Sequence, residues 1–100
     1  MEIIKHEIER NITFTEDTQL HGMIVGDVTT SEKAILYLHG MVVGNLKIKD
    51  DSTVFLHGMV TGDAINMGGR LEIFGMVKGQ VSTYKGNTII DQGALIRRGK

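Results

Sequence analysis

The stretch Leu20-His21-Gly22-Met23-Ile24-Val25-Gly26-Asp27-Val28 decides the fold, because the chain repeats it. Copies begin at Leu38 and Leu56 with the same order Leu-His-Gly-Met, and a fourth reads Ile73-Phe74-Gly75-Met76. The four copies therefore start at positions 20, 38, 56 and 73, which is an almost constant period. A fixed short period along a chain indicates a repeat architecture in which each unit stacks on its neighbours.

Weaker copies extend the repeat in both directions. The segment 11–15 resembles the segment 45–49, which lies close to two periods later, and Gly93-Ala94-Leu95 follows Gly75-Met76-Val77 by one period. Five to six units therefore account for nearly the whole chain, and we expect a single domain over residues 1–100. Within it, residues 1–10 form an N-terminal cap or an irregular first coil, and residues 97–100 form a basic C-terminal end.

The repeat length selects the kind of unit. Helical repeats begin at about 33 residues and leucine-rich repeats at about 20, so both are too long. Apolar residues alternate inside the unit, as in Leu46-Lys47-Ile48-Lys49, with the two-residue period of a strand. We therefore predict an all-β, single-domain β-solenoid with about 18 residues per coil and three faces of about six residues, which gives a triangular cross-section.

Adding one period to each apolar position predicts four columns of inward side chains. The paired glycines, such as Gly22 and Gly26, are expected at corners or bulges that either need a positive φ or leave no room for a Cβ atom. The predicted columns are Leu20, Leu38, Leu56 and Ile73; Ile24, Val42, Val60, Val77 and Leu95; Val28, Leu46, Ala64 and Val81; and Leu36, Val54, Leu71 and Ile89.

The unit Gly-Met-Val-x-Gly-x-Val/Leu resembles the bactofilin, or polymer-forming cytoskeletal, family, whose coils each carry a Gly-x-Val-x-Gly-x-Ile motif. The resemblance covers Asn11 to Ile96 and implies a right-handed triangular β-helix that assembles end to end into non-polar filaments without nucleotide. This chain departs from the family in lacking Pro-rich tails and in carrying a His-x-Met ladder. Stepping by six from Leu20 gives Gly26 and Glu32, which argues against a hexapeptide acyltransferase.

The residues between the inward positions are expected to form outward ladders. One ladder is His21, His39, His57 and Phe74, and the other is Met23, Met41, Met59 and Met76. Adjacent rungs lie about 4.8 Å apart, so together they form an adhesive stripe, the Met/His stripe, that we predict to be an interface. The alternative is that each Met fills the gap beside a corner glycine and is buried locally.

The histidine ladder predicts no metal site. Collinear imidazoles about 4.8 Å apart do not converge as tetrahedral zinc requires, although a zinc ion shared across an oligomer interface stays open as an alternative. The outward column Asp27, Asn45, Asp63 and Gln80 alternates charge with neutrality, which we attribute to the avoidance of stacked like charges rather than to calcium binding. No cofactor is expected.

Composition excludes several classes of function. Lys and Arg total 11 against 12 Asp and Glu, so no basic surface for nucleic acid is expected. The chain has no cysteine, no apolar run long enough to span a membrane and no N-terminal signal-peptide pattern, which favours a cytoplasmic protein without a membrane span. Serines lack a repeating His and acid, and no phosphate-binding glycine loop occurs, so we expect no enzyme.

These observations favour a structural, self-assembling protein. Strand edges at the two ends of a solenoid invite pairing, and the apolar end at Leu95 and Ile96 is a candidate end-to-end contact. The Met/His stripe is a candidate side-by-side contact. One alternative is a small immunity- or inhibitor-type module that presents the stripe to a single protein target. A second is a trimeric hexapeptide-like enzyme with histidines at its subunit contacts.

The inward columns make a direct prediction. Val60→Asp places an unpaired charge in the centre of a column, so we expect the variant to be unfolded at room temperature. Circular dichroism with thermal melting measures this. A soluble variant that melts at the wild-type temperature would show the assignment of inward and outward positions to be wrong.

Overall fold

The computed structural model describes residues 1–96, which form fifteen short strands and no helix. No helix in this range could therefore cross a membrane. In chain order the strands are β1 (Glu2–Ile4), β2 (Glu7–Ile8), β3 (Ile12–Phe14), β4 (Thr18–Leu20), β5 (Met23–Val25), β6 (Val28–Thr30), β7 (Ile35–Leu38), β8 (Met41–Val43), β9 (Leu46–Ile48), β10 (Thr53–Leu56), β11 (Met59–Val60), β12 (Ala64–Ile73), β13 (Met76–Val77), β14 (Val81–Ile90) and β15 (Leu95–Ile96).

Each strand pairs in parallel with the strand one coil before it and the strand one coil after it. The first face contains β1, β4, β7, β10 and the second halves of β12 and β14; the second face contains β2, β5, β8, β11, β13 and β15. The third face contains β3, β6, β9 and the first halves of β12 and β14. This is an all-β solenoid of about six turns with three faces, so the predicted fold class is confirmed.

The predicted inward columns form the core. Leu20, Leu38, Leu56 and Ile73 stack in register, and all four side chains are completely buried. The other three columns are equally buried as far as Val77, Ala64 and Leu71, and their members in the last coil are not. Because burying one Val, Leu or Ile side chain stabilises a fold by about 1.5–3 kcal/mol, these columns supply most of the driving force for folding.

The last coil departs from the prediction in two places. Thr88, rather than Ile89, stacks on Leu71, and Ile96, rather than Leu95, stacks on Val77. The first shift arises because Leu71 pairs with Thr88, only 17 residues later, whereas the pairs Leu36–Val54 and Leu38–Leu56 are 18 residues apart. The second arises because the corner between Ile90 and Leu95 is longer than the corner between Ile73 and Met76. Ile89 consequently lies on the outer surface.

A ladder of side-chain hydrogen bonds holds the corner between the second and third faces. The Oδ1 atom of Asp27 accepts from the backbone N–H of Asn45 at 2.9 Å, and Oδ1 of Asn45 accepts from Asp63 at the same distance. Asn11 and Asp63 extend the ladder to Asp27 and Gln80. The column predicted to reflect charge avoidance therefore satisfies the orphan N–H group of each following coil, which is a structural function.

Glycine is required where the first and second faces meet. At Gly40 and Gly58 an added Cβ atom would overlap the carbonyl oxygen of the glycine one coil earlier, Gly22 and Gly40 respectively. These carbonyls accept backbone hydrogen bonds of 3.0 Å from Met41 and Met59, so they cannot move aside. Of the two reasons expected for these glycines, lack of room for Cβ therefore applies at Gly40 and Gly58, where φ is not positive.

This packing makes a second prediction. Gly58→Ala forces a methyl group onto a backbone carbonyl, and we expect it to lower the free energy of unfolding by about 2–3 kcal/mol. Gly93→Ala is the matched control, because a Cβ atom there meets only the Asp91 carboxylate, at an ordinary contact distance of 3.4 Å. Urea denaturation of both variants measures the difference. Equal stabilities would contradict the close approach of the coils at Gly58.

Candidate functional site

A groove runs the length of the solenoid where the first and second faces meet. Its volume is about 780 Å³ and its floor is the row of corner glycines Gly22, Gly40, Gly58 and Gly75. The histidine ladder forms one side and the methionine ladder the other, with Lys5, His6 and Glu7 at the N-terminal end and Leu95 at the C-terminal end. The structure thus brings the predicted outward ladders together around one concave surface.

The histidine side of the groove is a continuous aromatic stack. The ring centroids of His21 and His39 are 4.9 Å apart, those of His39 and His57 are 5.1 Å apart, and His57 stacks on Phe74 at 4.7 Å. The ring planes differ by at most 14°, so the rings lie parallel. All four side chains are exposed to solvent. The strand spacing imposes this stack, since each ring lies above the same position of the previous coil.

The methionine side pairs in the same register. Met23, Met41, Met59 and Met76 stack on one another and are partly buried against the groove, and Leu95 continues the ladder as its fifth rung. The methionines were expected either to form an exposed adhesive stripe or to be buried locally beside the corner glycines. In the structure they do some of each, because every side chain packs beside a corner glycine and still presents surface to the groove.

A second aromatic ladder, not singled out in the sequence, lies beside the histidines on the first face. The rings of Tyr37 and Phe55 stack with centroids 5.4 Å apart, and each ring precedes a histidine of the ladder, His39 and His57 respectively. Alternation with the buried Leu36 and Leu38 is the signal that could have identified this ladder. It widens the apolar surface beyond the Met/His stripe.

The two predicted end-contact residues have different surroundings. Leu95 is 62% exposed and faces the groove, whereas Ile96 continues an inward column and packs against the core. Ile90, which the sequence analysis did not select, stacks on Ile73 and is 46% exposed because no further coil in residues 1–96 covers it. The basic segment predicted at residues 97–100 lies outside the described residues.

The N-terminal end has a different character. Ile4 and Phe14 are buried there, while the surrounding side chains of Glu2, Glu7 and Glu9 are exposed. A hydrogen bond with Glu9 and repulsion by its charge raise the pKa of Glu7. The exposed Lys5 and Arg10 belong to the same coil, so this edge carries charged side chains of both signs.

The groove has no conventional site for a divalent metal. Within residues 1–96, no three His, Cys, Asp or Glu side chains converge as such an ion requires. The histidine stack explains this, because successive rings are displaced along the solenoid axis and do not converge.

Comparison with known proteins identifies one family. A family model described as "Bactofilin: Polymer-forming cytoskeletal" matches residues 4–97. No curated protein and no solved structure matches the chain significantly. The match covers almost all of the solenoid described above.

Proposed function

The chain belongs to the bactofilin family of polymer-forming cytoskeletal proteins, and from this premise we propose that its solenoids join end to end through the terminal coils without nucleotide. The resemblance noted from the glycine spacing is confirmed by the family match. A structural rather than enzymatic role follows from the family. A cytoskeletal polymer that has no cysteine is well suited to the reducing cytoplasm, where we place it.

The uncovered C-terminal coil is the observation that carries the proposal. Strand β14 runs from Val81 to Ile90 and pairs with β12 along one edge, and no other strand within residues 1–96 pairs with its second edge. Above the core columns lie Val81, Ile90 and Ile96, and of these Ile90 is 46% exposed. A long edge strand beside uncovered apolar side chains is a template for pairing with another chain.

We propose that the C-terminal end of one copy binds the C-terminal end of another copy in preference to an N-terminal end. The C-terminal surface has the exposed Ile90 at its centre, whereas the N-terminal edge surrounds the buried Ile4 and Phe14 with charged side chains. Contact between identical ends is isologous, so it reverses the direction of the solenoid and gives a filament without polarity. The N-terminal ends then form the second, weaker contact of the filament.

The role of the corner glycines supports assembly of the filament without nucleotide. Close contact with the neighbouring coil's backbone accounts for the corner glycines, as at Gly40 and Gly58, so they need no phosphate-binding role to explain them. Burial of apolar side chains and completion of strand edges are sufficient to drive association.

The Met/His stripe supplies a side-by-side contact between filaments. The groove, Met41, Met59 and the Tyr37–Phe55 ladder form a long apolar surface that stays on the flank when the ends are joined. The alternative, a module that presents this surface to one protein partner, uses the same residues but predicts a small fixed stoichiometry.

The axial contact is tested with two neighbouring isoleucines. Ile90→Arg places a cation over the last core column, and we expect it to abolish sedimentable filaments in nucleotide-free buffer. Ile89→Arg is the matched control, because Ile89 is exposed to 44% but lies on the outer face. Electron microscopy and pelleting measure both. If Ile90→Arg polymerises like the wild type, the C-terminal end is not the contact.

The lateral contact is tested separately. Met41→Lys combined with Met59→Lys puts two cations one rung apart in the groove, so we expect single filaments to persist while bundles disappear. Cryo-electron microscopy counts the filaments in each bundle. Unchanged bundling would rule out the stripe as the lateral contact. A wild type that stays monomeric at high concentration would contradict both contacts and favour the partner-binding alternative.

A further inference from the structure

The tripeptide His-Gly-Met occurs three times, and the structure lines up all three copies along one groove. His21, His39 and His57 form one side, and Met23, Met41 and Met59 form the other, with the corner glycine between the two side chains of each coil. Neither the fold nor end-to-end assembly requires an imidazole and a thioether to face each other. The fourth coil shows this, because it has Phe74 in place of the histidine and stacks equally well.

The stack restricts where the imidazole nitrogens can point. Neighbouring rings are parallel and separated by 4.9 and 5.1 Å along the solenoid, so their faces meet the histidines above and below. The nitrogen lone pairs lie in the ring plane, and therefore point within the coil to which the histidine belongs. The methionine of the same coil lies across the glycine. Each coil thus offers its own nitrogen and sulfur donors.

The donor set selects a particular class of ion. Among the described residues that line the groove, Glu7 alone carries a carboxylate, and it lies at the N-terminal end. Hard cations such as Mg²⁺ and Ca²⁺ prefer oxygen ligands, and structural Zn²⁺ requires four convergent donors. Thioether and imidazole together suit soft ions, of which Cu(I) is the biological example, and Ag(I) is its stable analogue.

His21 shows an additional feature that is typical of a ligand. Its Nε2 atom lies 3.2 Å from Oε1 of Gln19. When Nε2–H donates to this amide oxygen, Nδ1 keeps its lone pair and the ring is oriented, as the outer hydrogen bond of a metal-bound histidine does. In the next two coils Tyr37 and Phe55 occupy the position of Gln19, and their rings stack on each other.

We propose that the three His-Gly-Met coils form a ladder of Cu(I) sites, one per coil, in which the imidazole nitrogen and the thioether sulfur of the same coil bind the ion. The sites belong to a single chain and do not depend on filament formation. The distance between neighbouring rungs allows three ions to occupy the groove in a row. The ladder ends at the Lys5–Glu7 coil, which has His6 but no methionine, and at the Phe74–Met76 coil, which has Met76 but no histidine.

Titration of the full chain tests the proposal. Native mass spectrometry with Ag(I) in chloride-free buffer is expected to show up to three ions per chain, and anaerobic competition with a Cu(I) chelator is expected to show the same number. Zn(II) at the same concentration is expected not to bind. A wild type that binds neither Ag(I) nor Cu(I) would overturn the proposal.

Matched variants identify the ligands. Met23→Leu, Met41→Leu and Met59→Leu conserve volume, so each is expected to remove one bound ion while thermal melting stays close to that of the wild type. His39→Gln is expected to remove one ion as well. Met76→Leu, in the coil without histidine, and Met67→Leu, which is exposed outside the groove, are the controls and should retain three ions.

The triple methionine variant is the decisive comparison. If it binds as many ions as the wild type, the thioethers are not ligands and the proposal is wrong. Should the triple variant fail to fold, X-ray absorption of the Cu(I)-loaded wild type gives an independent answer. A spectrum with sulfur and nitrogen neighbours supports the assignment, and one without sulfur contradicts it.

Discussion

In-register parallel stacking is the constraint on which the rest of this structure depends. Each coil lies directly on the previous one at the strand spacing of about 4.8 Å, so every position sees its own equivalent above and below. At the corners this approach leaves no space for a side chain, which is why Gly40 and Gly58 are glycines. Between the corners it turns inward positions into aliphatic columns such as Leu20, Leu38 and Leu56.

The same constraint creates the molecule's surface features. A histidine repeated once per coil becomes a stack of parallel rings, and the methionine beyond the glycine becomes a facing ladder. Asx residues at another corner become a ladder of hydrogen bonds, from Asn11 through Asp27 to Asp63. One repeated sequence therefore produces both a structural ladder and a candidate binding groove, and the two differ only in whether the side chain returns to the backbone or faces solvent.

Stacking pairs the strand edges and buries the apolar side chains inside the solenoid, but it leaves strand edges exposed at the two end coils. Within residues 1–96, nothing covers the outer edge of β14 or the apolar side chain of Ile90 at the C-terminal end, whereas at the N-terminal end Ile4 and Phe14 are buried and the edge carries charged side chains of both signs. This asymmetry agrees with membership of a polymer-forming family, because an uncovered apolar end gains stability when a second copy covers it. The flank, with its groove and the Tyr37–Phe55 ladder, stays free for a second kind of contact or for a ligand.

The sequence by itself determined the solenoid, its approximate period, the inward columns as far as Val77 and the two facing ladders, because a closely repeated unit gives each residue the same kind of neighbour in every coil. The sequence-based prediction of the columns is wrong in the last coil, where the period changes. The register of Thr88 and Ile96 depends on a shortened coil and on a longer last corner, and neither can be read from spacing alone. Only the tertiary structure showed that Asp27 and Asn45 bind backbone N–H groups and that Ile90 lies over the core, because these depend on where a side chain points after the chain has turned a corner.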